Sequence, residues 1–282
     1  MKQAIYQINW CLIQTQMLKS KIFNVIFFSM AIIGTFGCTS RSAVKNSEEW
    51  QELFNGKDLK GWSAKFYHHE LGDNYANTFR VVDGAILVSY DDYDEFDERY
   101  GHLFFQESFS SFHLKFEYRF TDQWMEEAPD FTYRNSGVMF HSQDPKTILK
   151  EQNWPISVEY QMLADAGDGN PRPTGNMCSP GTEVFYRGEM DPRHCISSSS
   201  DTYAWDQWVQ SDLIVYRDSL VIHQVNGETV LTYTKPQIGG EVVEGFDPAI
   251  KVDGAPLTHG YIGLQAEGQG VMFRNIRIRR LD

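Results

Sequence analysis

Glu159 and Gln161 occupy alternate positions in Val158-Glu159-Tyr160-Gln161-Met162, a carboxylate and a carboxamide set between bulky apolar residues just ahead of a long Gly/Pro-rich stretch. In an extended strand, residues i and i+2 share a face, so the two polar groups project together while Val158, Tyr160 and Met162 point the other way. A carboxylate so placed can take or give a proton, and a carboxamide beside it can orient a hydroxyl. The same arithmetic nominates further residues opposite apolar neighbours: Glu117, Arg119, Asn135, His141, Gln265 and Glu267. On the outward face of a curved sheet they would line a groove fit for an extended polar ligand such as a sugar.

Other residues offer weaker chemistry. Trp124 and Trp154, in or beside loops, present faces on which a sugar ring could stack. The acidic run from Asp91 to Glu98 reads first as a solvated loop and second as a Ca²⁺ site, since the spacing and glycine of an EF-hand are missing. Cys178 and Cys195 lie in a Gly/Pro/Ser-rich region and are expected to form a disulfide that staples a loop. A metal site built on His194 and Cys195 is the alternative, with no CxxC or HxxxH spacing to support it.

Strands must carry these residues. Phe112, Leu114, Phe116, Tyr118 and Phe120 alternate with polar residues, and the same period returns around 137–141, 157–162 and 261–267. Residues 209–216, 220–225 and 229–233 form a meander, with Asn226-Gly227 predicting a type I′ turn. No long helical period follows the leader. The expected fold is therefore all-β, an antiparallel sandwich or jelly roll interrupted by loops at 90–101, 122–134 and 164–200.

Aromatic residues make up 14% of the 282-residue chain, enough for a packed core and a binding surface. The formal charge of -13 repels phosphate backbones, which excludes nucleic acid as a partner. Lys19 and Lys21 precede an apolar run of about 15 residues, shorter than the roughly 20 a membrane-spanning helix needs. The run ends at Gly37-Cys38, as in a lipoprotein signal peptide. Residues 1–37 are thus expected to be a leader, with 1–16 ahead of a possible true start at Met17. Cys38 is the expected lipidation site, 38–48 the tether and 49–282 a single domain. Such a chain would sit in the cell envelope, in the periplasm or at the outer membrane, held to the membrane through its lipid.

Five stretches carry a resemblance: residues 53–62 (LFNGKDLKGW), 135–140 (NSGVMF), 158–161 (VEYQ), 260–265 (GYIGLQ) and 273–276 (FRNI). In this order they resemble the motifs of the 3-keto-disaccharide hydrolase family. The resemblance implies a concanavalin A-like jelly-roll sandwich of two antiparallel sheets. It also implies cleavage of glycosides already oxidised to a ketone at sugar carbon 3. The sequence departs from the family pattern at His141, where an arginine is common, and at Thr174-Gly175-Asn176, where an aromatic usually follows the glycine. On this reading Glu159 is the base, His141 or Arg119 stabilises the oxyanion, and Glu267 protonates the leaving oxygen. Gln161, Gln265, Asn135, Glu117, Trp124 and Trp154 would bind the substrate. A divalent metal could replace the cationic polariser, although no ligand signature marks one. Two other readings stay open: a conventional glycosidase using two carboxylates, and a lectin-like module that binds carbohydrate without cleaving it.

Overall fold

The computed structural model describes residues 49–282. The leader, Cys38 and the tether to residue 48 lie outside the described residues. In chain order the strands are β1 (Gln51–Glu52), β2 (Trp62–Phe66), β3 (Phe79–Val82), β4 (Ala85–Val88), β5 (Gly101–Phe105), β6 (Ser111–Trp124), β7 (Asn135–Ser142), β8 (Val158–Leu163) and β9 (Asn176–Cys178). They continue as β10 (Thr182–Tyr186), β11 (Glu189–Asp191), β12 (Cys195–Ile196), β13 (Val209–Tyr216), β14 (Leu220–Val225), β15 (Glu228–Ile238), β16 (Tyr261–Ala266) and β17 (Gln269–Arg280). One sheet runs β12-β9-β8-β7-β16-β5-β2; the other runs β11-β10-β15-β14-β13-β6-β17-β4-β3, with β1 added along β17. The paired strands are antiparallel, and the two sheets form a jelly-roll sandwich.

Period two builds the core. Phe112, Leu114, Phe116, Tyr118 and Phe120 of β6 are buried and face Val158, Tyr160 and Met162 of β8, with the Phe116 and Tyr160 rings edge to face at 5.4 Å. Each such side chain contributes about 1.5–3 kcal/mol through burial. Buried polar atoms among them are paired: the Tyr160 hydroxyl donates to the Gln224 carbonyl at 2.9 Å, and the His223 ring lies between the Gly175 carbonyl and the Tyr233 hydroxyl. At the β14–β15 turn, Asn226 and Gly227 both adopt positive φ, as a type I′ hairpin requires.

The stretch 164–200, expected as one loop, contains β9, β10, β11 and β12. Their two to five residues are too few to show an alternation, and partners distant in sequence define them. β9 and β12 extend the seven-stranded sheet beyond β8, and Cys178 and Cys195, directly opposite each other, are joined as a disulfide. Residues 53–62 are a structural motif: Trp62 is buried and its indole N–H donates to the Leu53 carbonyl at 2.8 Å, while the Asn55 side chain accepts from the backbone of Lys57 and Asp58. Along the acidic run, Asp92 pairs with Arg80 and Asp97 with Arg99.

Candidate active site

The outward face of the seven-stranded sheet is laid out in rows fixed by strand register. Asn176, Gln161, Gly137, Gln265 and His102 stand across five neighbouring strands, and Cys178, Glu159, Met139 and Gly263 form the row beside them. Glycine at position 137 leaves a gap in the middle. A Cβ there would overlap the Glu159 carboxylate, which therefore lies across Gly137. The result is a hollow of about 500 Å³ lined by Glu159, Gln161, Gln265, Glu267, Asn135 and Arg172. Trp154, Phe131 and Val242 also line it, and the last two are largely exposed, so apolar surface stands over a polar floor.

The floor holds polar atoms with unmet hydrogen-bonding capacity. Asn135 Oδ1, Gln265 Oε1 and Glu267 Oε1 are buried without a partner among the described residues, an arrangement that costs about 1–3 kcal/mol per group unless a ligand supplies donors. Asn176 Nδ2 donates to Gln161 Oε1 at 3.0 Å, which leaves the Gln161 NH₂ as a donor to the hollow. Burial pushes the Glu159 carboxyl up to about 8. Glu267 is raised well above the usual carboxylate range by burial and then by the charge of Glu159, with Arg172 pulling the other way. Two interacting carboxyls in one cavity are thus driven toward protonation, Glu267 with the extra push of its neighbour.

Among the described residues Arg172 is the one Lys or Arg that lines this site, and sequence reasoning missed it. It lies between Pro171 and Pro173, and its Nη1 donates to the carbonyls of Arg134 and Ala164 at 3.1 and 3.0 Å. The available signal was its position as the sole basic residue between Ala164 and Tyr186, held by two prolines. Phe131 was missed because it lies in a short 3₁₀ turn, Asp130–Thr132, with no periodic neighbours.

Four expected liners are elsewhere. Glu117 and Arg119 belong to β6 and face outward from the ten-stranded sheet, where Glu117 pairs with Arg274 at 2.8 Å and Arg119 lies 4.9 Å over the Trp208 ring. Alternation tells that they face away from the core but not which sheet carries them. His141 turns inward: its positive φ of 45° and the register shift opposite β16 make a bulge, so its ring packs edge-on to Phe112 and donates to the Arg217 carbonyl. Burial lowers its pKa to about 4, so it is no cation at neutral pH. Trp124 donates its indole N–H to Thr132 Oγ1 at 3.0 Å and packs on Tyr133, bracing the turn that carries Phe131 instead of facing the hollow itself.

His194 and the Cys178–Cys195 pair form part of the wall. Their ligand atoms lie within 4.8 Å of one another, but the sulfurs are bonded together and no thiolate is free to hold a metal in this state.

The chain has relatives of known sequence and structure. The 3-keto-disaccharide hydrolase of Bacteroides thetaiotaomicron is 25% identical over 255 residues, spanning 82% of this chain and 78% of that protein. A solved structure from Parabacteroides distasonis, named provisionally as a glycosyl hydrolase, shares 20% identity over 83% of this chain and all of its own, with a TM-score of 0.49. The Bacillus licheniformis β-glucanase shares 10% identity over 84% of this chain and all of its own, with a TM-score of 0.47. Residues 49–279 match the model of the 3-keto-alpha-glucoside-1,2-lyase-like domain, and the chain belongs to that family.

Proposed function

We propose that this chain is an exported enzyme that cleaves glycosides bearing a ketone at sugar carbon 3, by elimination and then hydration. The observation that carries this reading is the pair of buried carboxyls, Glu159 and Glu267, both shifted upward within one sugar-sized hollow. A 3-ketone acidifies the proton on carbon 2. Ionised Glu159 takes that proton, and the electron pair of the broken C–H bond moves toward the ketone as an enolate. Arg172, which lines the same hollow, stabilises the developing oxyanion. The ketone then re-forms as a double bond closes between carbons 1 and 2 and the C1–O bond breaks. Protonated Glu267 delivers its proton to the leaving oxygen. Water adds at carbon 1 and a proton returns to carbon 2, so the net reaction consumes one water.

The neutral amides suit the uncharged hydroxyls of such a substrate. Asn135 and Gln265 offer oxygen acceptors and Gln161 an N–H donor. Trp154, Phe131 and Val242 suit its C–H faces. The Cys178–Cys195 disulfide supports export to an oxidising compartment, and Cys38 would carry the lipid that holds the protein in the cell envelope.

The test is turnover of 3-keto and unoxidised disaccharides in D₂O. Elimination and hydration place deuterium on carbon 2 of the released sugar, and Glu159→Gln removes the activity. Cleavage of unoxidised sugar with the carbon-2 proton retained would instead identify a two-carboxylate glycosidase. Saturable binding with no product would identify a lectin-like module.

A further inference from the structure

A second hollow, of about 280 Å³, lies at the end of β7 and the start of β16, beyond their register shift, and among the described residues it shares no lining residue with the first. Its polar side is made by His141, Ser142 and Asp144, and its apolar side by Ile156, Ile238 and Leu257. His141 and Ser142 are 1% and 2% exposed, yet His141 Nδ1 and Ser142 Oγ have no hydrogen-bond partner among the described residues. The backbone at His141 is also held at a φ of 45°, a conformation that a non-glycine residue adopts only where its surroundings impose it.

The chemistry of the missing partner follows from the tautomer. His141 Nε2 meets the Arg217 carbonyl at 3.2 Å, and a carbonyl only accepts, so the proton is on Nε2. Nδ1 is therefore a buried lone pair that needs a donor. Asp144 adds a carboxylate acceptor: one oxygen takes the backbone N–H of Lys146 and the other, at 3.4 Å, the Tyr261 hydroxyl, and each keeps a second lone pair. Among the described residues no lysine or arginine lines the hollow, which disfavours an anion. The fitting guest is neutral, of monosaccharide size, rich in hydroxyl donors along one edge and apolar across its face.

We propose that this hollow is a second carbohydrate-binding site, separate from the catalytic one, which holds a pyranose with its hydroxyls on His141, Ser142 and Asp144 and its C–H face on the isoleucines. The site does not depend on the reaction assigned to Glu159.

The test is a titration of the full chain, ¹³C-labelled at isoleucine methyls, with methyl α-D-glucopyranoside and methyl β-D-galactopyranoside, read by NMR. Saturable shifts at Ile156 and Ile238 with at least one of the two sugars are expected in the wild type and, unchanged, in Glu159→Gln. Ser142→Ala should weaken that binding several-fold and His141→Phe at least tenfold. If His141→Phe loses its dispersed methyl spectrum, Ser142→Ala and Asp144→Asn together carry the test. Absence of saturable shifts with both sugars, or affinity unmoved in the folded variants, overturns the proposal.

Discussion

The Glu159 carboxylate lies in the space that a side chain at position 137 would fill. The two residues face each other across β7 and β8 only diagonally, since Gly137 is paired with Gln161 and Glu159 with Met139. The glycine of the Asn-Ser-Gly motif therefore serves the carboxylate of the neighbouring strand, letting it reach the centre of the hollow between Gln161 and Gln265. Gly137→Ala should push Glu159 aside. A displacement near 1 Å lowers kcat/KM by about 10²-fold, while overpacking of this kind destabilises by about 1–3 kcal/mol. Kinetics with a 3-keto disaccharide and denaturant unfolding check the two effects; an unaltered kcat/KM would remove Gly137 from this role.

The raised pKa of Glu159 has opposite consequences for activity and stability. As a base it acts when ionised, so kcat/KM should climb with pH toward about 8. For folding, the native pKa lies above the unfolded value, so the native state binds the extra proton. The stability this carboxyl contributes is complete below the unfolded pKa near 4.5 and is lost as pH rises toward 8. One such proton corresponds to a slope of about 1.4 kcal/mol per pH unit in the steep region. Glu159→Gln cannot ionise. Subtracting its unfolding free energy from that of the wild type should give a difference that turns against the wild type between pH 5 and 8. A flat difference would mean that Glu159 is not held in a dry site.

Arg172 is held by two backbone carbonyls, both of which accept from Nη1. Arg172→Lys keeps the charge and loses the planar guanidinium. If the cation stabilises an enolate, kcat should fall by roughly 10²-fold or more with a smaller change in KM. A rise in KM alone would make Arg172 a binding residue.

What the sequence makes legible here is alternation. It places Val158, Tyr160 and Met162 in the core, with Glu159 and Gln161 on the other face, because strand geometry forces that division. It does not say which of two sheets a strand joins, since both sheets contribute an inner apolar row, and so Glu117 and Arg119 read like Glu159 and Gln161. Nor does it show a bulge: His141 continues the parity of Asn135 and Gly137, and only the backbone turn at 141 reverses its direction. Arg172 has no parity at all, because a proline-flanked loop fixes it. The division between sheets is itself testable. Arg119→Ala should leave kcat/KM within about twofold of wild type, since its partners are Trp208 and Met272 on the far sheet.

The disulfide ties stability to the shape of the site. Cys178 stands opposite Glu159 on one side and Cys195 on the other, so the bond clamps the edge strand β12 onto β9 and closes one wall of the hollow. The cysteines are 17 residues apart, and closing a loop of that length stabilises the fold by about 3 kcal/mol through the entropy of the unfolded chain. The β12 pairing itself is only two residues long, too short to persist strongly without the bond. Cys178→Ser with Cys195→Ser should therefore lower the thermal midpoint by several degrees. Glu159 and Gln265 are also fixed by the pairings of β8 with β7 and of β16 with β5, and Glu267 directly follows β16, so KM should rise more than kcat falls. Reduction of the wild type by dithiothreitol should reproduce both changes and leave the double variant unaffected. A fall in kcat with KM unchanged would instead place the disulfide in control of the carboxyls themselves.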